Sequence, residues 1–341
     1  MAGNYLKQMN YQSFRDLYCQ YLMESFQNYT CTNLSACVEL SHDKITRYLG
    51  NYPPDEKNLY EKLYPIPCSL PKGGYLIFDD TVLDKRYSNQ IDMVRRQYSG
   101  NVGGIVQGIG VVVMLYYVPQ EDKFYLLGYR IFDPALDGKS KVDHVMDLVT
   151  DAETHCVPYQ GVLMDTWYAI ARLFQKIHHL GKYFYCPIKT NRLVKESINM
   201  TYSSVSELKW DAHQLQYGKS LKVKDLGLDV KLFKVIVSTD RTDYVLTNDL
   251  RPHTVEFIAK MQKMRWNIES FNREVKQLTG IDKCQCRKAN AQRNHIFCTM
   301  LVWNKLKQIA YQTWESIYQV KFAPLKNFII ERMKMKTPNF A

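Results

Sequence analysis

No apolar run in this chain approaches the ~18 residues that a bilayer-crossing helix needs, so no membrane span is expected. The first residues, MAGNYLKQMNYQ, lack an apolar signal core, so export is not expected either. There is no low-complexity tract and no internal repeat. Nine cysteines are scattered through 341 residues, which is too sparse for a disulfide scaffold and suits a reducing compartment. The glycine-rich turn Gly100–Gly104 has no helix pattern behind it, which argues against a phosphate-binding loop.

What remains is a globular composition, 46% apolar, and a length sufficient for two or three domains. The formal net charge is +11. With a pI near 9.0, that balance favours polyanionic partners, chiefly nucleic acid. The 25 tyrosines, interleaved with Lys and Arg, suit bases and phosphates. A basic soluble protein without such a partner has the same totals.

Residues 1–70 read as polar helices. Asn33–Leu49 has the pattern of two short helices around Ser41-His42-Asp43, with Asp43 as a candidate cap and Lys44, Arg47 and Tyr48 on offer to DNA. A helix-turn-helix and an ordinary pair of helices both satisfy it. Pro53-Pro54, Pro65, Pro67 and Pro71 mark a boundary. Beyond it, Tyr75–Phe78, Gly104–Val118 and Lys123–Phe132 read as strands, and Lys141–His155 as a helix. Gly161–Met164 reads as a buried strand followed by helix to Leu180. Residues 182–250 are β-rich, and helix dominates from Thr254 onward, with MKMKTPNFA as a frayed basic tail. The outline is a mixed α/β core with an insertion.

Two acidic positions follow apolar strands: Asp80, beside Asp79 and near Asp84, and Asp165. A carboxylate at the end of a core strand is held rigidly where loops leave room for a ligand, and oxygen ligands of this kind suit divalent ions. Asp also favours turns and caps for purely structural reasons. Asp79 and Asp80 point to opposite faces of a strand, and pattern alone does not choose between them.

The stretch RWNIESFNREVK, 265–276, is amphipathic at ~100° per residue. Met261, Met264, Ile268, Phe271, Val275 and Leu278 form one apolar stripe. Arg265, Glu269, Asn272 and Lys276 form a polar line, while Glu274 falls elsewhere. A surface salt bridge between Arg265 and Glu269 and a metal-and-phosphate site are both compatible with that line. Cys284, Cys286, His295 and Cys298 are zinc-type ligands in an unusual spacing. Arg287 and Lys288 beside them suit DNA phosphates.

Four stretches in this order resemble the DDE transposases of bacterial insertion sequences, in the cut-and-paste group with a β-strand insertion. FDDTVLDK (78–85) is similar to the first-Asp strand, and RRQYSGNVGGIVQGIGV (95–111) to the segment after it. GVLMDTWYA (161–169) is similar to the second-Asp strand. RWNIESFNREVKQLTG (265–280) resembles the Tyr-Arg-Glu-Lys signature helix. The likeness covers residues 70–310. It implies Asp80, Asp165 and Glu269 as catalytic residues and ligands of two Mg²⁺ ions, with Mn²⁺ able to substitute. It implies Arg265 and Lys276 as phosphate contacts; the signature's Tyr is replaced here by Gln262. Trp210, the insertion's only Trp, is implied as a base-stacking aromatic, or else is a sheet aromatic.

The implied fold is an α/β, RNase H-like mixed-sheet catalytic core with a β-rich insertion and helical N- and C-terminal regions. The expected domains are a helical DNA-binding region (1–70), a first stretch of the core (71–181), the insertion (182–250), the rest of the core with the Glu helix (251–310), and a helical tail (311–341). The implied function is metal-dependent DNA cleavage at the ends of an insertion sequence and strand transfer into target DNA, by a homodimer in a bacterial cytoplasm. A catalytically inactive DNA-binding derivative and a nuclease without strand transfer are the alternatives.

Overall fold

The computed structural model describes residues 10–54, 56, 59–63, 69–88, 90–100 and 102–334. Residues 1–9, Pro65, Pro67 and the expected tail from 335 onward lie outside the described residues. The chain divides into two compact units. One holds Met1–Tyr64, Val82–Gly110 and Phe271–Ala341, the other Pro65–Thr81 and Val111–Ser270.

The second unit is built on a sheet. Its strands are β1 (Gly74–Asp84), β3 (Gly104–Val118), β4 (Lys123–Phe132), β5 (Tyr159–Leu163), β6 (Tyr183–Ile188), β7 (Leu193–Lys195), β8 (Ser203–Ser204), β9 (Lys219–Val223), β10 (Val230–Ser238) and β11 (Arg241–Thr247). β2 (Arg95–Ser99) and portions of β1 and β3 belong to the first unit. Apolar runs drive the central strands: Leu76, Ile77 and Phe78 of β1, Val162 and Leu163 of β5, and Phe184 of β6 are fully buried. Strands covered on both faces read as unbroken apolar runs rather than alternating ones.

The strand order β4-β3-β1-β5-β6, with β5 parallel to both β1 and β6, is that of an RNase H-like core. β11 then pairs antiparallel with β6, β10 with β11, and β9 with β10, so the β-rich block extends the same sheet. β1 is longer than the sequence suggested. It runs on through Thr81, Val82 and Leu83, three buried strand formers, so Asp79 and Asp80 lie within it and not at its end.

The first unit is mainly helical. Helices Cys31–Cys37 and His42–Asn51 form the expected pair, but Ser41 caps the second, accepting from the Lys44 N–H at 3.3 Å. Asp43 sits in that helix's first turn instead. Helix Asn267–Thr279 continues from the second unit into the first, and stops at Gly280, whose φ of +65° is cheap only for glycine. Within it, Glu274 is buried and accepts from Trp303 Nε1 and Lys307 Nζ, each at 3.0 Å.

Where β11 leads into helix Val255–Arg265, the fully buried Asp249 accepts from Tyr185 Oη (2.7 Å), Arg251 Nε (2.8 Å) and Nη2 (2.6 Å), and lies 2.7 Å from His253 Nε2. Burial alone would raise its pKa, but the hydrogen bonds from Arg251, Tyr185 and His253 outweigh it and hold the carboxyl well below the ordinary range. A depressed folded pKa contributes stability above the unfolded carboxyl pKa of about 4 and loses it as pH falls further. Asp249→Ala is therefore expected to cost about 3 kcal/mol at pH 7, because it strips the buried Tyr185 hydroxyl and the Arg251 guanidinium of their acceptor. Urea unfolding should show the gap from wild type narrowing below pH ~4.

Candidate active site

Asp80 and Asp165 reach one neighbourhood through strand register. Ile77 of β1 stands opposite Leu163 of β5 in a parallel pair. Asp80 comes three residues after Ile77 and Asp165 two after Leu163, so both lie beyond the same end of that pairing. Asp165 also caps the short turn Thr166–Tyr168, its Oδ1 accepting from the Thr166 N–H at 2.7 Å. That turn is what aims Tyr168 at Asp80: the buried Tyr168 hydroxyl donates to Asp80 Oδ1 at 3.0 Å. Lys141, the first residue of helix Lys141–Thr154, donates to Asp80 Oδ2 at 2.5 Å.

Asp79 supplies a third carboxyl. Burial, then the neighbouring Asp80 charge, push its pKa up to about 7; Asp165 adds to the rise, while the Asp80 N–H (2.8 Å) and the Arg265 charge oppose it. Asp79 and Asp80 therefore differ in environment. Asp80 holds a lysine and a tyrosine, and Asp79, desolvated by burial, resists ionisation.

Glu269 lies in the first turn of helix Asn267–Thr279. The charges of Asp165 and Glu269 both act on Arg241, whose pKa is raised first by its hydrogen bonds to Asp243, at 3.0 and 2.9 Å. Arg241 opens β11, next to the tip of the β10–β11 hairpin, so the inserted strands bring a cation into the field of both acids. Tyr168, Lys141 and Arg241 carry no local signal in the sequence. Asp79 carries one, its place beside Asp80.

The expected single helix through 265–276 is two helices, Val255–Arg265 and Asn267–Thr279, separated at Trp266. The Trp266 N–H bonds back to Lys263 O at 3.2 Å, a tighter turn than an α-helix makes. Gln262 and Arg265 fall on the buried side of the first helix, 7% exposed each. Gln262 Nε2 and Arg265 Nε are buried with no hydrogen-bond partner among the described residues. Two orphaned donors one turn apart are costly in the free protein and suit an incoming anionic oxygen.

The other expected residues lie as follows. Lys276 Nζ is 3.5 Å from Val82 O, and its charge assists that of Arg86 in lowering the Asp84 pKa. Trp210 is half-buried, its ring centroid 6.3 Å from that of Tyr244 and 5.5 Å from Lys219 Nζ. Arg287 and Lys288 are exposed, where helix Ala289–Thr313 begins. The zinc grouping fails on His295: Nδ1 meets Tyr18 Oη and Nε2 meets Gly280 O, each at 2.9 Å, and burial holds its pKa down to about 4.

The carboxylate donors fit a divalent ion of the Mg²⁺ kind, since the neighbouring acid charges that help raise the Asp79 pKa favour a bound cation. Among the described residues, however, no group of three or more His, Cys, Asp or Glu stands close enough to form a complete ligand set. Asp79, Asp80 and Asp165 share one field; Glu269 shares a field with Asp165 across Arg241.

Residues 142–305, a little under half of the chain, match the family model described as "Transposase DDE domain". The chain carries a DDE-type transposase domain. The DDE match takes in Asp165, the inserted strands and Glu269; Asp80 precedes it. Among solved structures, the Drosophila P element transposase strand transfer complex is similar over 96% of this chain and 88% of that one, at 8% identity and a TM-score of 0.29. No curated protein matches. No helix among the described residues is long and apolar enough to cross a membrane.

Removing an orphaned buried donor should relieve a desolvation cost of about 1 kcal/mol or more. Gln262→Met is therefore expected to raise the urea midpoint of the free protein while weakening its affinity for DNA. A lower midpoint would show that the Gln262 amide is satisfied in solution.

Proposed function

We propose that this chain is an insertion-sequence transposase that cleaves DNA at element ends and joins the 3′ ends to target DNA. The observation that carries the reading is the β1–β5 register, by which Asp80 and Asp165 both follow the same end of one strand pairing, in a chain whose DDE domain match extends over Glu269. The net charge of +11 supports DNA as the partner. Two copies acting together would bring two DNA ends into one assembly.

Asp80, Asp165 and Glu269 are the residues that would hold Mg²⁺, which when bound supplies Lewis acidity at the scissile phosphate and a more acidic water or 3′-hydroxyl. The chain's own groups prepare that place. Lys141 and Tyr168 fix the orientation of Asp80 through its two oxygens. Arg265 and Gln262 offer buried N–H groups to phosphate oxygens, where low dielectric strengthens the bond. Lys276, Arg287 and Lys288 would offer positive charge to DNA phosphates.

A DNA-binding derivative without catalysis is the second reading, favoured by Gln262 in place of Tyr and by the absence of a complete ligand set among the described residues. The test is cleavage and joining of DNA bearing the inverted repeats that flank the gene, in Mg²⁺ or Mn²⁺. Asp80→Ala, Asp165→Ala and Glu269→Gln are each expected to lower cleavage by on the order of 10³-fold or more, the rate equivalent of several kcal/mol. Each should keep DNA binding that weakens steeply with salt. Unchanged cleavage in one variant removes that residue from the site. Band shifts with no cleavage in either metal establish the second reading.

A further inference from the structure

The mechanism makes no use of a group of thiols in the first unit. Cys31 opens helix Cys31–Cys37, and Cys284 and Cys286 lie in the segment that leads to helix Ala289–Thr313. The sulfurs of Cys31 and Cys286 are 3.8 Å apart. Cys31 is 8% exposed, whereas Cys286 is only partly covered. Beneath them Lys85, 4% exposed, donates from Nζ to Cys284 O at 2.5 Å and to Asp282 O at 2.8 Å. Its charge interacts with both Cys284 and Cys286.

We propose that Cys286 and Cys31 are a redox-active dithiol that closes to a disulfide by exchange with small-molecule disulfides. Side-chain rotation has only to shorten the present gap to the ~2.05 Å of an S–S bond. The roles follow from the surroundings. Hydrogen bonding with Cys284 and Cys31 lowers the Cys286 pKa, which favours the thiolate there, and the same contacts raise the pKa of both neighbours. A thiolate, and not a thiol, is the attacking form.

The exchange balances as follows. The Cys286 thiolate attacks one sulfur of the external disulfide and expels the other half as a thiolate, which takes a proton from water. Cys31 then gives up its own proton and attacks the Cys286 sulfur, expelling the second half as a thiol. Two protein thiols are oxidised and the external disulfide is reduced to two thiols. The new bond ties helix Cys31–Cys37 to the segment between helix Asn267–Thr279 and helix Ala289–Thr313.

The experiment is to incubate the reduced full-length protein with oxidised glutathione, alkylate the remaining thiols and map peptides without reduction. A Cys31–Cys286 linked peptide is expected in wild type and in Cys284→Ser. Cys31→Ser should instead accumulate glutathione on Cys286. The exposed thiols of Cys37 and Cys156 serve as internal controls. A Cys284–Cys286 link, or reaction at Cys37 and Cys156 without any Cys31–Cys286 link in wild type, would overturn the proposal. The wild-type linkage decides the matter even where a variant fails to fold.

Discussion

Parallel pairing between β1 and β5 sets where the carboxylates stand. With Ile77 opposite Leu163, the two Asp residues cannot be placed far apart, because each follows its reference residue by only two or three positions. The pairing itself rests on side chains that are fully buried on both strands. Slipping a strand by one residue would turn its buried set to the wrong face and move the acid with it. The same apolar burial that stabilises the sheet therefore positions the acids, with no separate device.

Bringing like charges together in a covered place is unfavourable, and the structure shows both the cost and the compensation. Asp79 responds by holding its proton more tightly. Asp80 is compensated by Lys141 and Tyr168, which come from two different connecting segments. Arg241 arrives from the hairpin of the inserted strands and Arg265 from the helix after them. These cations belong to elements far apart in sequence, so the balance exists only in the folded unit. Gln262 and Arg265 carry the opposite kind of cost, donors buried without acceptors. Natural chains keep such features where a ligand repays them.

The sequence made the sheet legible because buried parallel strands leave unbroken apolar runs, as in YLIF and GVLM. It made the two Asp residues legible because each stands at the edge of such a run. Two things were hidden. The length of β1 depends on burial of Thr81, Val82 and Leu83, and a pair of aspartates in front of them reads locally as a turn. The break at Trp266 leaves no proline or glycine to announce it, since the Trp266 backbone is itself right-handed helical. Lys141, Tyr168 and Arg241 were invisible for a simpler reason: their relation to the acids is purely spatial. Cys284, Cys286, His295 and Cys298 are zinc-type residues without a zinc role for His295, because both of its ring nitrogens are engaged, by Tyr18 Oη and Gly280 O.

The two glutamates on helix Asn267–Thr279 show how far spacing alone can discriminate. The wheel separates Glu269 from Glu274, and the structure supplies the physical content of that separation. Both oxygens of Glu274 are engaged by Lys307, at 3.0 and 3.2 Å, and one also by Trp303. A buried carboxylate held that way would lose its partners on turning to a metal, leaving an ammonium and an indole N–H unsatisfied. Glu274 is thus committed to the helical packing. Glu269 sits one helical turn from the Trp266 break, in a field shared with Asp165 and Arg241. Its neighbours are charges that a phosphate or a cation could rebalance. The difference in partners, beside the difference in wheel angle, sets Glu274 apart from Glu269.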